Sequence, residues 1–224
     1  MIHEYAYGYW TVVLSLILVS LFCITIFISP KTRFEKRSGG VLITFIIALF
    51  TEMYGFPLTI YFLSSLFGLK IPFTHEYGHL LAYALTFTGL GIMSSWLLVM
   101  LVSNIMLFVG VWWIISGWKA VYRSHGTLAT TGIYSRMRHP QYSGIILMIF
   151  AFLIQWPTLI TLIISPFLIT MYVRLAKREE KDVEAMYSIQ YGAYRESVPA
   201  FIPRGLTPGW LRQNPSRPRQ EIAG

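Results

Sequence analysis

The stretch Thr131–Gly144, TGIYSRMRHPQYSG, gathers Tyr134, Arg136, Arg138, His139 and Tyr142 just before an apolar run. Guanidinium and imidazole groups at the mouth of a membrane segment can grip a polar ligand while the following helix faces lipid. Pro140 lacks a backbone donor and biases His139 away from helix, so a helix is expected to start there. The plainer alternative is that the arginines are topogenic anchors and His139 an interface residue with its bonds satisfied.

These residues need a scaffold, and composition bounds it. Of 224 residues, 55% are hydrophobic and only 12% charged, with a mean hydropathy of +0.57. That is the profile of a polytopic membrane protein. The net charge of +8 is spread over short loops and a tail. Bilayer orientation accounts for that pattern better than nucleic-acid binding does. Cys23 is the one cysteine and leaves no internal disulfide framework.

Five spans are expected. Tyr9–Ser29 is the first, and the cationic loop Lys31–Gly40 after it places the N-terminus outside. The second, Val41–Phe67, carries TEMYGFP near its middle. Glu52 there is costly at membrane depth and marks a functional or paired site, and the Gly55–Pro57 break should kink the helix. Trp96–Trp118 is the third span, because Lys119, Arg123, Arg136 and Arg138 put the next loop in the cytoplasm. Leu80–Ser95 is then interfacial or re-entrant. Tyr142–Gln155 and Thr158–Leu175 form a tight hairpin returning to the cytoplasmic side, so the C-terminus is cytoplasmic.

Two further motifs could do chemistry. His75-Glu76-Tyr77-Gly78-His79 is formally H-E-x-x-H, which on one helix would pair two imidazoles for zinc beside a glutamate base. Gly78 weakens a helix there and no third ligand is evident, so a polar interface turn is the preferred role and no metal is assigned. Lys177–Tyr194, KREEKDVEAMYSIQYGAY, is charged and helical in period. Glu179 and Glu180 could neutralise neighbouring lysines, or close over a ligand and pair with Arg138.

RHPQYSG at Arg138–Gly144, a hairpin of roughly thirty residues, REE at Arg178–Glu180, Tyr191, Tyr194 and VPAFIP at Val198–Pro203 together resemble the isoprenylcysteine carboxyl methyltransferase family and, beyond it, phospholipid N-methyltransferases. The likeness covers about Thr127 to Arg204. It implies an all-α integral membrane enzyme with about five transmembrane helices and a cytosolic pocket for S-adenosyl-L-methionine. On this resemblance Gly132, Tyr134, His139, Tyr142 and Glu180 fall on the cofactor pattern, with Glu179 and Tyr191 as additions to it. Arg138 would hold the acceptor's polar head, with Glu180 as its catalytic companion, and Glu52 and Tyr54 would lie on the acceptor side. Where relatives commonly carry Phe-Gly, this chain has Tyr187-Ser188, so the rear wall of the pocket should differ.

The organisation that follows is 1–118 as acceptor-side transmembrane helices, 119–204 as methyltransferase core and 205–224 as a disordered Pro/Arg-rich tail. The expected partners are a lipophilic small-molecule acceptor (carboxylate, thiol or amine) and membrane lipid. Two other chemistries stay open at this point. Membrane sterol and steroid reductases carry a similar RHP-x-Y element that holds NADPH, and an intramembrane metalloprotease would use His75, Glu76 and His79.

Overall fold

Why the second apolar run breaks is plain in its residues. Pro57 forces its predecessor out of helix, and Phe56 is extended at φ −129°, ψ 116°. In the computed structural model, which describes residues 7–27, 33–72, 74–124 and 127–205, the run becomes helix α2 (Arg33–Phe50), a π turn over Thr51–Gly55 and helix α3 (Leu58–Phe67). The remaining helices are α1 (Trp10–Phe27), α4 (His75–Gly78), α5 (Leu80–Thr86), α6 (Ile92–Arg123), α7 (Pro140–Gln155) and α8 (Leu159–Ser197), with a 3-10 turn at Gly132–Ser135. The described residues are all α, with no strand.

Several boundaries differ from those expected. The cationic stretch read as a loop over Lys31–Gly40 is helical from Arg33 on, and Lys31 and Ser29 lie outside the described residues. Leu80–Ser95 is not one helix: α5 ends at Thr86, Gly89 turns the chain at φ +93°, and α6 begins at Ile92. The second arm of the hairpin and the charged REE segment are a single helix, α8, with a kink at Tyr187. Cys23 is exposed on the outer surface of α1. Of the tail, all but Gly205 lies outside the described residues.

Among the described residues, three stretches are long and apolar enough to cross a membrane: Lys36–Gly55, Ile92–Arg123 and Leu159–Ser197. Trp10–Thr25, Leu58–Phe67 and Pro140–Gln155 are apolar but shorter. The apolar part of α8, residues 159–175, amounts to ~26 Å of helix, close to the ~30 Å hydrocarbon core, and the run of charged residues begins at Lys177. Large side chains such as Phe22, Leu101, Phe108 and Phe167 are exposed, as lipid-facing surfaces should be.

The chain forms two compact units, Met1–Phe108 with Ile146–Leu175, and Val109–Ile145 with Ala176–Gly224. In the first, freed backbone groups are satisfied from within, as an apolar setting demands. The break after α2 leaves carbonyls that Gly8 N–H (2.9 Å) and Tyr9 N–H (2.8 Å) reach at Tyr54 O. Gly55 is needed for this approach, because a Cβ there would sit 2.9 Å from the Trp10 ring.

The junction between α7 and α8 is held in the same way. His79, fully buried, bonds through Nδ1 to the last carbonyl of α7, that of Gln155. Thr59 Oγ1 accepts the first N–H of α8, that of Leu159, at 3.0 Å. Thr59 in turn donates its backbone N–H and its hydroxyl to the two oxygens of buried Glu52, each at 2.9 Å. Trp156 seats itself where Gly78 has no side chain, since a Cβ there would come within 2.3 Å of its ring. The motif His75–His79 accordingly does not form one helix. It ends at Gly78, and His79 leaves the helical region at φ −76°, ψ 75°.

Replacing Thr59 by Val removes the hydroxyl and leaves the Leu159 N–H and a Glu52 oxygen buried without it. The expected cost is about 1–3 kcal/mol, read as a lowered melting temperature in detergent, with Thr59→Ser close to wild type. Equal melting of the Val variant and wild type would show that this junction does not depend on Thr59.

Candidate active site

All the geometry that follows belongs to the second unit. The loop before α7 starts at Gly132, whose φ of +65° suits glycine, and a 3-10 turn follows. Ile133 and Met137 are buried and pin the loop. Tyr134, Arg138 and His139 are left to face a cavity of about 320 Å3. His139 caps α7, its carbonyl accepting Ser143 N–H at 2.9 Å. Gly144 lets α7 approach α6, because a Cβ there would meet the Gly110 carbonyl at 2.5 Å. Such small-residue crossings are the usual way membrane helices pack tightly.

The loop backbone is tied to the segment after α8. Arg138 N–H donates to Pro199 O and His139 N–H to Ala200 O, both at 2.9 Å. Arg204 N–H donates to Arg136 O at 2.9 Å and Ser143 Oγ to Phe201 O at 2.8 Å. VPAFIP thus serves as the partner strip of the RHP loop, satisfying donors that would otherwise be orphaned.

Across the cavity stands Glu180. Its Oε1 lies 2.8 Å from His139 Nε2 and 3.1 Å from Arg138 Nη1. Burial alone would raise this carboxyl, but the hydrogen bond from His139 and the charge of Arg138 outweigh it and hold Glu180 below the ordinary range. Glu179 accepts the Tyr142 hydroxyl. Tyr194 donates its hydroxyl to the Tyr134 carbonyl at 2.7 Å. Tyr134 is pushed up to about 12 by burial and then by the charge of Glu179, so it is neutral at physiological pH. Tyr191, 3% exposed, is raised by burial and interacts with both Glu180 and Arg138. Arg138 Nε and Nη1 are buried without a directed hydrogen bond, the approach of Nη1 to Glu180 being an ion pair.

Of the residues singled out in the sequence, Tyr134, Arg138, His139, Tyr142, Glu179, Glu180 and Tyr191 line one cavity. Gly132 shapes the loop and is not in its wall. Glu52 and Tyr54 belong to the first unit and do not line it. Trp118, Val121, Leu128 and Val183 also line the cavity and carried no sequence signal, being apolar residues inside helices and loops. Tyr187 lines it as well, at the position where Phe-Gly is usual.

Glu180 supplies the site's pH dependence. Its lowered folded pKa means that its contribution to stability is complete above the ordinary carboxyl value of ~4.3 and is lost as pH falls through the folded value. The gap in melting temperature between wild type and Glu180→Gln should be full at pH 7 and shrink on acidification below about pH 4.3. A gap independent of pH would contradict an ionised Glu180.

Residues 96–185 match the model of the isoprenylcysteine carboxyl methyltransferase (ICMT) family. Neither a curated protein nor a solved structure matches the chain. The matched stretch includes Arg138, His139, Glu179 and Glu180, whereas Tyr191 and Tyr194 follow it. Methyltransferases of this family take the methyl group from S-adenosyl-L-methionine. Over residues 96–185 the chain is similar to the isoprenylcysteine carboxyl methyltransferase family, a family of membrane methyltransferases.

Proposed function

We propose that this protein transfers a methyl group from S-adenosyl-L-methionine to a lipophilic acceptor at the cytoplasmic face of the membrane, with the N-terminus outside and residues 119–204 as the methyltransferase core. The observation that carries this reading is the Glu180 oxygen shared by Arg138 and His139 in the wall of an aromatic cavity. The cavity falls at the small end of the size range of ligand pockets, ~300–1,000 Å3. Its lining suits the cofactor: tyrosine rings and two carboxylates favour a sulfonium and an ammonium. When bound, the cofactor supplies an electrophilic methyl group with a neutral thioether as leaving group.

In this reading the chain's own residues do positioning and exclusion of water, the main demands of an in-line displacement. His139, Tyr134, Tyr142, Glu179 and Tyr191 hold the cofactor, with Gly132 fixing the loop that presents them. Arg138 orients a carboxylate or thiolate nucleophile of the acceptor, and Glu180 holds the guanidinium in place. Glu52 keeps lone pairs beyond its two bonds to Thr59. With Tyr54, it is assigned to the acceptor side.

Transfer of a labelled methyl group from S-adenosyl-L-methionine to a panel of membrane-partitioning carboxylates, thiols and amines tests this reading. Arg138→Ala should lose turnover by about 100-fold or more while cofactor affinity changes less, and Glu52→Gln should alter rate or preference among acceptors. Equal losses of turnover and cofactor affinity would move Arg138 to the cofactor side. Wild-type behaviour of Glu52→Gln across the panel would leave Glu52 purely structural. No methylated product from any acceptor with wild-type protein would count against the reading itself.

A further inference from the structure

Helix α8 does not run straight past the site. Tyr187 leaves helical geometry at φ −124°, ψ 21°, and the chain beyond it carries Tyr191 and Tyr194 into the cavity wall. Arg195 Nη1 lies 3.3 Å from Glu184 Oε2. Eleven residues separate the two, a rise of ~16 Å on an unbroken helix, and the kink between them lets the side chains meet. Neither residue lines the cavity. Both are about half exposed, so their charges are open to solvent.

We propose that Glu184 and Arg195 are a positioning pair, a strap across the Tyr187 kink that sets Tyr191 and Tyr194 against the cofactor. This rests on the reading of the cavity as a cofactor site. The segment 188–197 is held at its far end, where Pro199, Ala200 and Phe201 accept hydrogen bonds from the RHP loop and Ser143. At its near end Tyr187 leaves helical geometry, and the strap spans that residue alongside the interaction of Tyr191 with Glu180. Within the segment, Tyr194 reaches the Tyr134 carbonyl and Tyr191 meets Arg138 and Glu180. The charge of Arg195 also helps to keep Glu180 ionised, behind His139 and Arg138 and against the effect of burial. Loss of the strap should therefore loosen the tyrosine wall without removing any group from the cavity lining.

An exposed ion pair is weak, so the effect is modest and must be read as coupling. The test compares Glu184→Gln, Arg195→Gln, their double variant and Arg195→Lys. Two quantities are measured: the dissociation rate of S-adenosylhomocysteine, and amide hydrogen exchange of residues 188–197 in ligand-free protein. Glu184→Gln should speed both by about two- to fivefold, should have no effect in the Arg195→Gln background, and should be without effect at ~1 M salt, where screening is nearly complete. Arg195→Lys should recover most of the wild-type behaviour. If Glu184→Gln acts equally in the Arg195→Gln background, or changes neither quantity, the strap is overturned. If exchange follows the coupled pattern but wild type does not bind S-adenosylhomocysteine, the strap stands and the cofactor reading falls.

Discussion

A single carboxylate oxygen organises the site. Glu180 Oε1 receives both His139 Nε2 and Arg138 Nη1, and each of these side chains is only about one-tenth exposed. Charge-assisted bonds of this kind are roughly twice as strong as neutral ones. Removing one partner of a buried ion pair costs about 3–5 kcal/mol, because the other is left uncompensated. The RHP loop and α8 are therefore tied by an interaction that neither can give up cheaply. VPAFIP completes the arrangement by fixing the loop's backbone, leaving the Arg138 side chain to Glu180 and to a ligand.

The first unit answers the same physical demand in a different way. Backbone groups freed at the α2 break and at the α7–α8 junction lie among apolar residues and need partners there. Tyr54 O is met by the N–H groups of Gly8 and Tyr9, Gln155 O by His79, and Leu159 N–H by Thr59 backed by Glu52. Glu52, Thr59 and His79 thus stand beside helix breaks, at Gly55–Pro57, Gly78 and Pro157.

The sequence made the site more legible than the frame around it. Arg138, His139, Tyr142, Glu179 and Glu180 stand out because charged residues are scarce in an apolar chain and their order resembles a known family. Helix limits were harder to read. The end of α6 at Arg123 and the continuity of α8 into REE depend on helix propagation through charged residues, which hydropathy treats as a boundary. Glu52 was visible as an anomaly, but its partner Thr59 was not, since a lone threonine in an apolar run carries no signal. The role of His79 was hidden by the formal H-E-x-x-H pattern, and only the break at Gly78 shows that the ring turns to Gln155. The Tyr187 kink arises in a segment of ordinary helix formers and could not be anticipated.

The proposed role of the cavity around Glu180 is to hold S-adenosyl-L-methionine. Calorimetric titration of detergent-purified protein with S-adenosylhomocysteine, with NADPH and His139→Ala as comparisons, tests it most directly. Micromolar binding of S-adenosylhomocysteine that is lost in His139→Ala, with no NADPH binding, is the expected result. Binding of NADPH in its place, or S-adenosylhomocysteine binding indifferent to His139, would contradict the account.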